Sequence, residues 1–326
     1  MTLQYATLDV FTKTLFAGNP LGVVFLPDSS SLNQTQKQLI AKEFNYSETI
    51  FVHPVIPQSP NQQRIDIFTT DKELPFAGHP TIGAASWVLY LSNQNETKVN
   101  TLITRAGPIP ISLKPGGYEV GALIPHDVRV HQKRFPLGEL LRVHPSLKPH
   151  FPAVQQKGTE SFPVVSIVKG MAQVHIQLPN LEALAAVGPA LGGQMIPSSE
   201  ARHVGYLDES WDVGGLVLLY FHVRDVADEE TGKKVIRTRM WLGSEEDPAT
   251  GSAASGLAAY LTLEEATNGV AQSERRYDIV QGVEMGRRSD IGIRIAATKL
   301  DGAPRLEYLE LAGSAVKVAE GELRYQ

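Results

Sequence analysis

Gly78-His79 opens an uncharged run from Pro80 to Leu91, and Gly251-Ser252 opens a second uncharged run that reaches Leu263. If each run is a helix, its first turn presents unpaired backbone N–H groups and a partial positive charge, which suit a carboxylate or a phosphate. The spacing Gly78-x-x-x-x-Gly83 resembles a phosphate loop, but Ala84-Ala85 stands where such a loop needs Lys followed by Ser or Thr. Gly251 to Gly256 fails in the same way, being followed by Leu257-Ala258, and no G-x-G-x-x-G follows a strand. A carboxylate is the better-suited ligand. The 326 residues include no Cys, which excludes disulfides, thiolate metal sites and cysteine nucleophiles or bases. Any chemistry must use oxygen or imidazole groups.

The two stretches are copies of one another. Glu73 to Ala85 and Glu246 to Ala258 share five of thirteen residues (Glu73/Glu246, Pro75/Pro248, Gly78/Gly251, Gly83/Gly256, Ala85/Ala258), where average composition gives about one. Both lead into helices that lack a polar face. Such a helix either spans a membrane or is buried on every side. At about twelve residues each is too short for a bilayer, which needs about twenty, so each is expected to be enclosed by its own half of the protein. If the halves face each other across a pseudo-twofold axis, both helix starts point into one cleft.

The bulk numbers agree with a soluble two-lobed protein. The hydrophobic fraction of 42% with 20% charged residues is ordinary for a globular chain. A net charge of −5 and a pI near 6.0 leave no basic footprint for nucleic acid or anionic membranes. No secretory signal or membrane span is evident, so the cytoplasm is the expected location. The expected division is a first lobe over residues 1–128 and a connector plus second lobe over 129–326, with the last strand able to return to the first lobe.

Strands are expected at Thr7 to Phe11, Gly22 to Leu26, around Ile50, at Arg64 to Thr69, and in a hairpin from Val99 to Leu113. An outer helix from Ser31 or Asn33 to about Phe44 follows from the spacing of Leu39, Ile40 and Phe44. Pro125 to Pro163 reads as a connector with one short helix at Leu137 to Val143. Its His126, His131, His144 and His150 show no metal-ligand spacing and read as solvated linker residues. Strands at Val164 to Val168, Val174 to Leu178, Leu216 to Val223 and Ile236 to Trp241 flank an amphipathic helix over Asn180 to Leu191. The fold class is therefore α+β, two pseudo-symmetric lobes each wrapping a curved, mostly antiparallel sheet around a central helix.

Leu8-Asp9-Val10-Phe11, Phe16 to Pro20, Asn45-Tyr46-Ser47-Glu48-Thr49, Glu73 to Thr81, Glu246 to Ala253 and Gln281 to Arg287 together resemble the phenazine-biosynthesis isomerase (PhzF-like) family. The resemblance runs over nearly the whole chain in the family's order. It implies the diaminopimelate-epimerase-type fold, a cofactor-free and metal-free site in the cleft, and a homodimer. Position by position, it makes Glu48 the proton-transferring acid/base and His79 and Asp247 polar partners. Gly78, Gly251 and Ser252 become the anchor for a substrate carboxylate. Arg288 departs from the Pro common at that point of the family motif.

The residues suit those roles. A Glu at a strand start is ordinarily a surface residue. Partly desolvated, its pKa would rise from about 4.3 towards 6–7, as reversible proton transfer requires. His79 alone reads as a helix-start side chain bonded to backbone, and Asp247 as a partner of the second helix's N-terminus. Its counterpart in the first copy is Leu74, an asymmetry that a catalytic site would need. The expected function is a cofactor-independent isomerase that moves a proton on a small carboxylate-bearing substrate, with double-bond migration favoured over stereoinversion. A non-catalytic carboxylate-binding or regulatory protein on the same fold is the alternative. A metal-dependent hydrolase has no HExxH or clustered His and Asp to support it. The substrate itself is expected to be selected by loops such as Asp208 to Gly215.

Overall fold

The protein is described here by a computed structural model covering residues 2–27, 32–92, 98–152, 159–197, 205–213, 216–267, 274–300 and 303–325. It divides into two compact units. One comprises Met1–Ile124, Ser289–Ile291 and Glu310–Gln326, the other Pro125–Arg288 and Gly292–Leu309.

In the first unit β1 (Thr2–Val10) and β2 (Asn19–Phe25) pair antiparallel. Helix α1 (Gln34–Phe44) then leads to β3 (Glu48–Val52), which lies parallel to β2. Strand β4 (Gln62–Phe68) runs antiparallel to β3, and the two-residue β5 (Glu73–Leu74) turns back against it. Helix α2 (Gly78–Ser86) crosses to β6 (Thr101–Thr104), parallel to β4, and β7 (Gly107–Leu113) and β8 (Val120–Leu123) follow antiparallel. The final strand, Ala315–Arg324, pairs with β1.

Local chemistry explains the two helices. α1 starts at Asn33, whose side chain accepts the Gln36 N–H while Gln36 reaches back to the Asn33 N–H, and it stops at Asn45 in a left-handed conformation (φ 54°). The alternative cap, Ser31, lies outside the described residues. All nine residues of α2 are buried, as the lack of a polar face requires, and the helix runs on into a wider π-helical turn at Trp87–Leu91. Gly83 lets it approach the sheet: a Cβ there would stand 2.3 Å from Leu21 Cδ2.

The second unit holds β9 (Arg129–Val130), β10 (Phe135–Pro136), α3 (Leu137–Val143), β11 (Ser161–Phe162), β12 (Val164–Val168) and β13 (Met171–Gln177). After these come α4 (Leu181–Ala185), β14 (Ile196–Pro197), β15 (Leu216–Ala227), β16 (Lys234–Leu242), β17 (Glu245–Glu246), α5 (Gly251–Thr267) and β18 (Arg275–Gln281). The pairing order repeats that of the first unit. β13 and β15 are parallel across α4, β15 and β16 then β16 and β17 antiparallel, and β16 and β18 parallel across α5. The repeat seen in the sequence is thus a repeat of topology, with a crossover helix at each parallel step.

Two expectations are corrected in this unit. The described residues of Pro125 to Pro163 are not solvated throughout, because Phe135, Leu140, Leu147 and Phe162 share a core with Val174, Ile176 and Phe221. His131 and His144 are buried with them, at 4% and 2% exposure. The helix expected to reach Leu191 ends at Ala185, capped at its start by Asn180. Pro189 has no N–H to donate and disfavours helical geometry at Gly188, which stops propagation.

The sheet beneath α5 has an unusual face. Ala172, Val174, Ile176, Val217, Leu219 and Phe221 point into the apolar core, so the alternate residues Gln173, His175, Tyr220 and His222 share the opposite side by register. α5 packs on that polar side. A Cβ at Gly256 would lie 2.9 Å from Gln173 Oε1 and 3.2 Å from His175 Nε2, so the second glycine of the repeat has the same packing role as Gly83.

Candidate active site

Glu48 is the first residue of β3, three residues beyond the left-handed Asn45 that ends α1, and its backbone is in register with Leu21 of β2. Its side chain is 17% exposed. Burial penalises the carboxylate and lifts its pKa from 4.5 to about 7, against a smaller lowering from a hydrogen bond with Ser47. His79, the second residue of α2, is 5% exposed in its side chain and brings Nδ1 to 3.2 Å from Glu48 Oε2. Ala77, the N-cap of α2, has no side chain able to cap the first turn, which Gly78 and His79 begin. A half-buried carboxyl titrating near neutrality beside an imidazole is suited to taking up and releasing a proton.

The structure brings Glu48, Gly78 and His79 together in the first unit. Asp247, Gly251 and Ser252 lie in the second, where Asp247 sits between β17 and α5. Asp247 Oδ2 accepts from Thr250 Oγ1 at 2.7 Å and Oδ1 from the Ala249 N–H at 3.3 Å. Its counterpart Leu74 instead lies within β5, in register with Ile67. The shared glutamates that open both copies have a common structural role. Glu73 accepts from Arg105 Nη1 at 3.0 Å and Gln34 Nε2 at 2.8 Å, while Glu246 accepts from Arg239 Nε at 2.7 Å and Nη2 at 2.9 Å.

Sequence reasoning passed over Gln281 and Thr250, which are buried and hydrogen-bonded around Asp247. Both stand in motifs already singled out, but nothing in residue type alone sets them apart. Arg288, the departure from the family motif, makes a two-pronged ion pair with Asp228, Nη1 to Oδ1 at 2.7 Å and Nη2 to Oδ2 at 3.0 Å. A pocket of about 300 Å³ in the first unit, lined by Phe25, His53, Gln63 and Trp87 among others, includes none of the candidate residues.

One cluster imitates a hydrolase triad. His131 Nε2 lies 2.9 Å from Ser166 Oγ, and Asp208 Oδ1 lies 3.8 Å from His131 Nδ1. The Asp208 backbone N–H, however, donates to Nδ1 at 3.0 Å, so the ring proton of the neutral imidazole sits on Nε2 and points at the serine. That tautomer is the wrong one for deprotonating Ser166. The cluster is a packing device.

Comparison with known proteins places this fold and chain in a class. The fold is that of the PhzF and proline racemase type: a PhzF-family phenazine biosynthesis protein of Bacillus anthracis superposes with a TM-score of 0.71 over 100% of both chains at 20% identity. A probable proline racemase of Agrobacterium radiobacter matches with a TM-score of 0.59 at 13% identity, over 99% of this chain and 93% of that one. The sequence profile described as "Phenazine biosynthesis-like protein" matches residues 8–321, and the chain belongs to that family, whose relatives include proteins named as isomerases. An uncharacterized isomerase of Mesorhizobium japonicum is 34% identical over 99% of both chains. The trans-2,3-dihydro-3-hydroxyanthranilate isomerase of Pseudomonas chlororaphis is 29% identical over 98% of this chain and 99% of its own.

Proposed function

We propose that this protein is an isomerase in which Glu48 removes a proton from a carbon next to an activating group and returns it to another carbon of the same small, carboxylate-bearing substrate. The observation that carries this reading is the Glu48–His79 pair, with Glu48 titrating at about 7. The carboxylate takes the proton and becomes a carboxylic acid, the substrate's electron pair shifts to a new double bond, and the acid returns the proton at the far end. No other proton donor or acceptor is consumed. His79 is assigned to holding Glu48 in place. Gly78, Gly251 and Ser252 are assigned to the substrate carboxylate through the N–H groups of the helix starts, and Asp247 to a neighbouring amine or hydroxyl. A homodimer is part of the proposal.

The names of the Pseudomonas relatives supply the probe. Incubated in D₂O with trans-2,3-dihydro-3-hydroxyanthranilate, the protein is expected to yield an isomer carrying solvent deuterium at carbon in part, to the extent that the Glu48 carboxylic acid exchanges its proton with D₂O before returning it. Glu48→Gln is expected to lower that rate by about a thousandfold or more. Isomerisation undiminished in Glu48→Gln would remove Glu48 from the role.

A further inference from the structure

Gln281 ends β18 in the interior of the second unit and is wholly buried. Its amide is fully engaged. Oε1 accepts from the Thr250 N–H at 3.1 Å, and Nε2 donates to the Asp247 carbonyl at 2.8 Å. These two backbone partners fix which way the amide faces, since a peptide N–H only donates and a peptide carbonyl only accepts.

The remaining bonds take their direction from that constraint. Nε2 also donates to Thr250 Oγ1 at 3.0 Å, which leaves the hydroxyl proton of Thr250 for Asp247 Oδ2, 2.7 Å away. On the far side the Tyr220 phenol lies 3.0 Å from both Oε1 and Thr238 Oγ1; Oε1 can only accept, so the phenol proton goes to Oε1 with Thr238 donating to the phenol oxygen. Tyr220, Gln281, Thr250 and Asp247 therefore form a one-way chain of donors that ends on a carboxylate. With Oδ1 receiving the Ala249 N–H, both carboxylate oxygens are held as acceptors.

We propose that Gln281 is the positioning residue for Asp247, acting through Thr250 to hold the carboxylate as an acceptor for a donor group of the substrate, an amine or a hydroxyl. This rests on the assignment of Asp247 to substrate binding made above. A carboxylate oriented only by donors is suited to fixing such a group, while transfer to carbon stays with Glu48. The competing role for Gln281 is purely structural, closing the start of α5.

Two measurements separate these. Crystal structures of the full-length protein, its Thr250→Val variant and its Gln281→Leu variant test placement without any turnover. The Asp247 carboxylate is expected to leave its present position in both variants, and an unmoved carboxylate overturns the proposal. Turnover of trans-2,3-dihydro-3-hydroxyanthranilate tests the consequence. In Thr250→Val, kcat/KM is expected to fall about 10- to 100-fold, with the Glu48 inflection near pH 7 unchanged. Thr250→Ser restores the hydroxyl and the rate, and adding Asp247→Asn to Thr250→Val costs less than about threefold more. Full additivity, or a Thr250→Val rate equal to the parent's, overturns the role. If Gln281→Leu does not fold, Thr250→Val with its serine control decides alone. If the parent protein does not turn over the probe, the functional reading fails there while the crystallographic arm still decides the positioning.

Discussion

Nδ1 of His79 lies 3.2 Å from Oε2 of Glu48, with both side chains largely buried in the first unit. A carboxyl held there at a pKa of about 7 is a destabilising element whenever it is ionised. Its folded pKa is raised above the unfolded value of 4.5, so its contribution is fully present below pH 4.5 and is lost as the pH rises through 7. A rise from 4.5 to about 7 corresponds to about 3 kcal/mol at alkaline pH. Glu48→Gln is therefore expected to be more stable than the parent at pH 8.5 and to lose that advantage at pH 4. Thermal unfolding of the two proteins at both pH values checks this, and equal melting at pH 8.5 would contradict it.

The buried imidazoles of the second unit predict acid sensitivity. Burial lowers the pKa of His144 to about 4, of His222 to about 3, and of His175 well below the ordinary value. The unfolded chain then binds more protons than the folded one below pH 6.5, so stability is full above 6.5 and falls as the pH drops towards 4. Each histidine contributes up to about 1.4 kcal/mol per pH unit in that window. Because Glu48 acts in the opposite direction there, the measurement belongs in a Glu48→Gln background. Urea unfolding of that protein between pH 6.5 and 4.5 is expected to show the decline, and adding His222→Leu to reduce its slope by about one proton.

Gly83→Ala is expected to destabilise the first unit by about 1–3 kcal/mol, because the new methyl carbon meets Leu21 Cδ2 at 2.3 Å and Val10 Cγ2 at 3.1 Å. Shortening the obstacle should relieve the clash. The double variant Gly83→Ala with Leu21→Val is expected to be more stable than the sum of the two single changes, as measured by denaturant unfolding.

Arg239→Lys should behave as a disruptive change. The guanidinium makes two parallel bonds to Glu246 with the side chains 7% and 6% exposed, and Nη1 also donates to the carbonyls of Leu184 and Ala185 at the end of α4. An ammonium cannot reproduce that fork. A loss of about 1–3 kcal/mol is expected from chemical denaturation, with a parallel fall in kcat/KM because Glu246 precedes Asp247.

The sequence by itself determined the framework. Absence of charge over two matched runs requires enclosed helices, because an uncovered apolar helix would leave its surface in water; α2 is buried throughout, and so is most of the uncharged part of α5. The cap at Asn33 was legible as one of two candidates because helix starts are read locally, from a side chain to N–H groups two or three residues on. The motif residues Glu48 and His79 were legible as candidates through family resemblance.

Only the tertiary structure decided what those residues do to each other. Glu48 and His79 are 31 positions apart, and their approach depends on how β3 and α2 pack. The pKa of Glu48 is set by the low-dielectric surroundings that packing creates. The burial of His131 and His144, the polar sheet face beneath α5 and the hold of Gln281 on Asp247 are long-range in the same way. A histidine in a proline-rich stretch looks the same in sequence whether solvent or Phe221 faces it. Burial and hydrogen-bond direction belong to the folded assembly of neighbours, and no local pattern of residue types contains them.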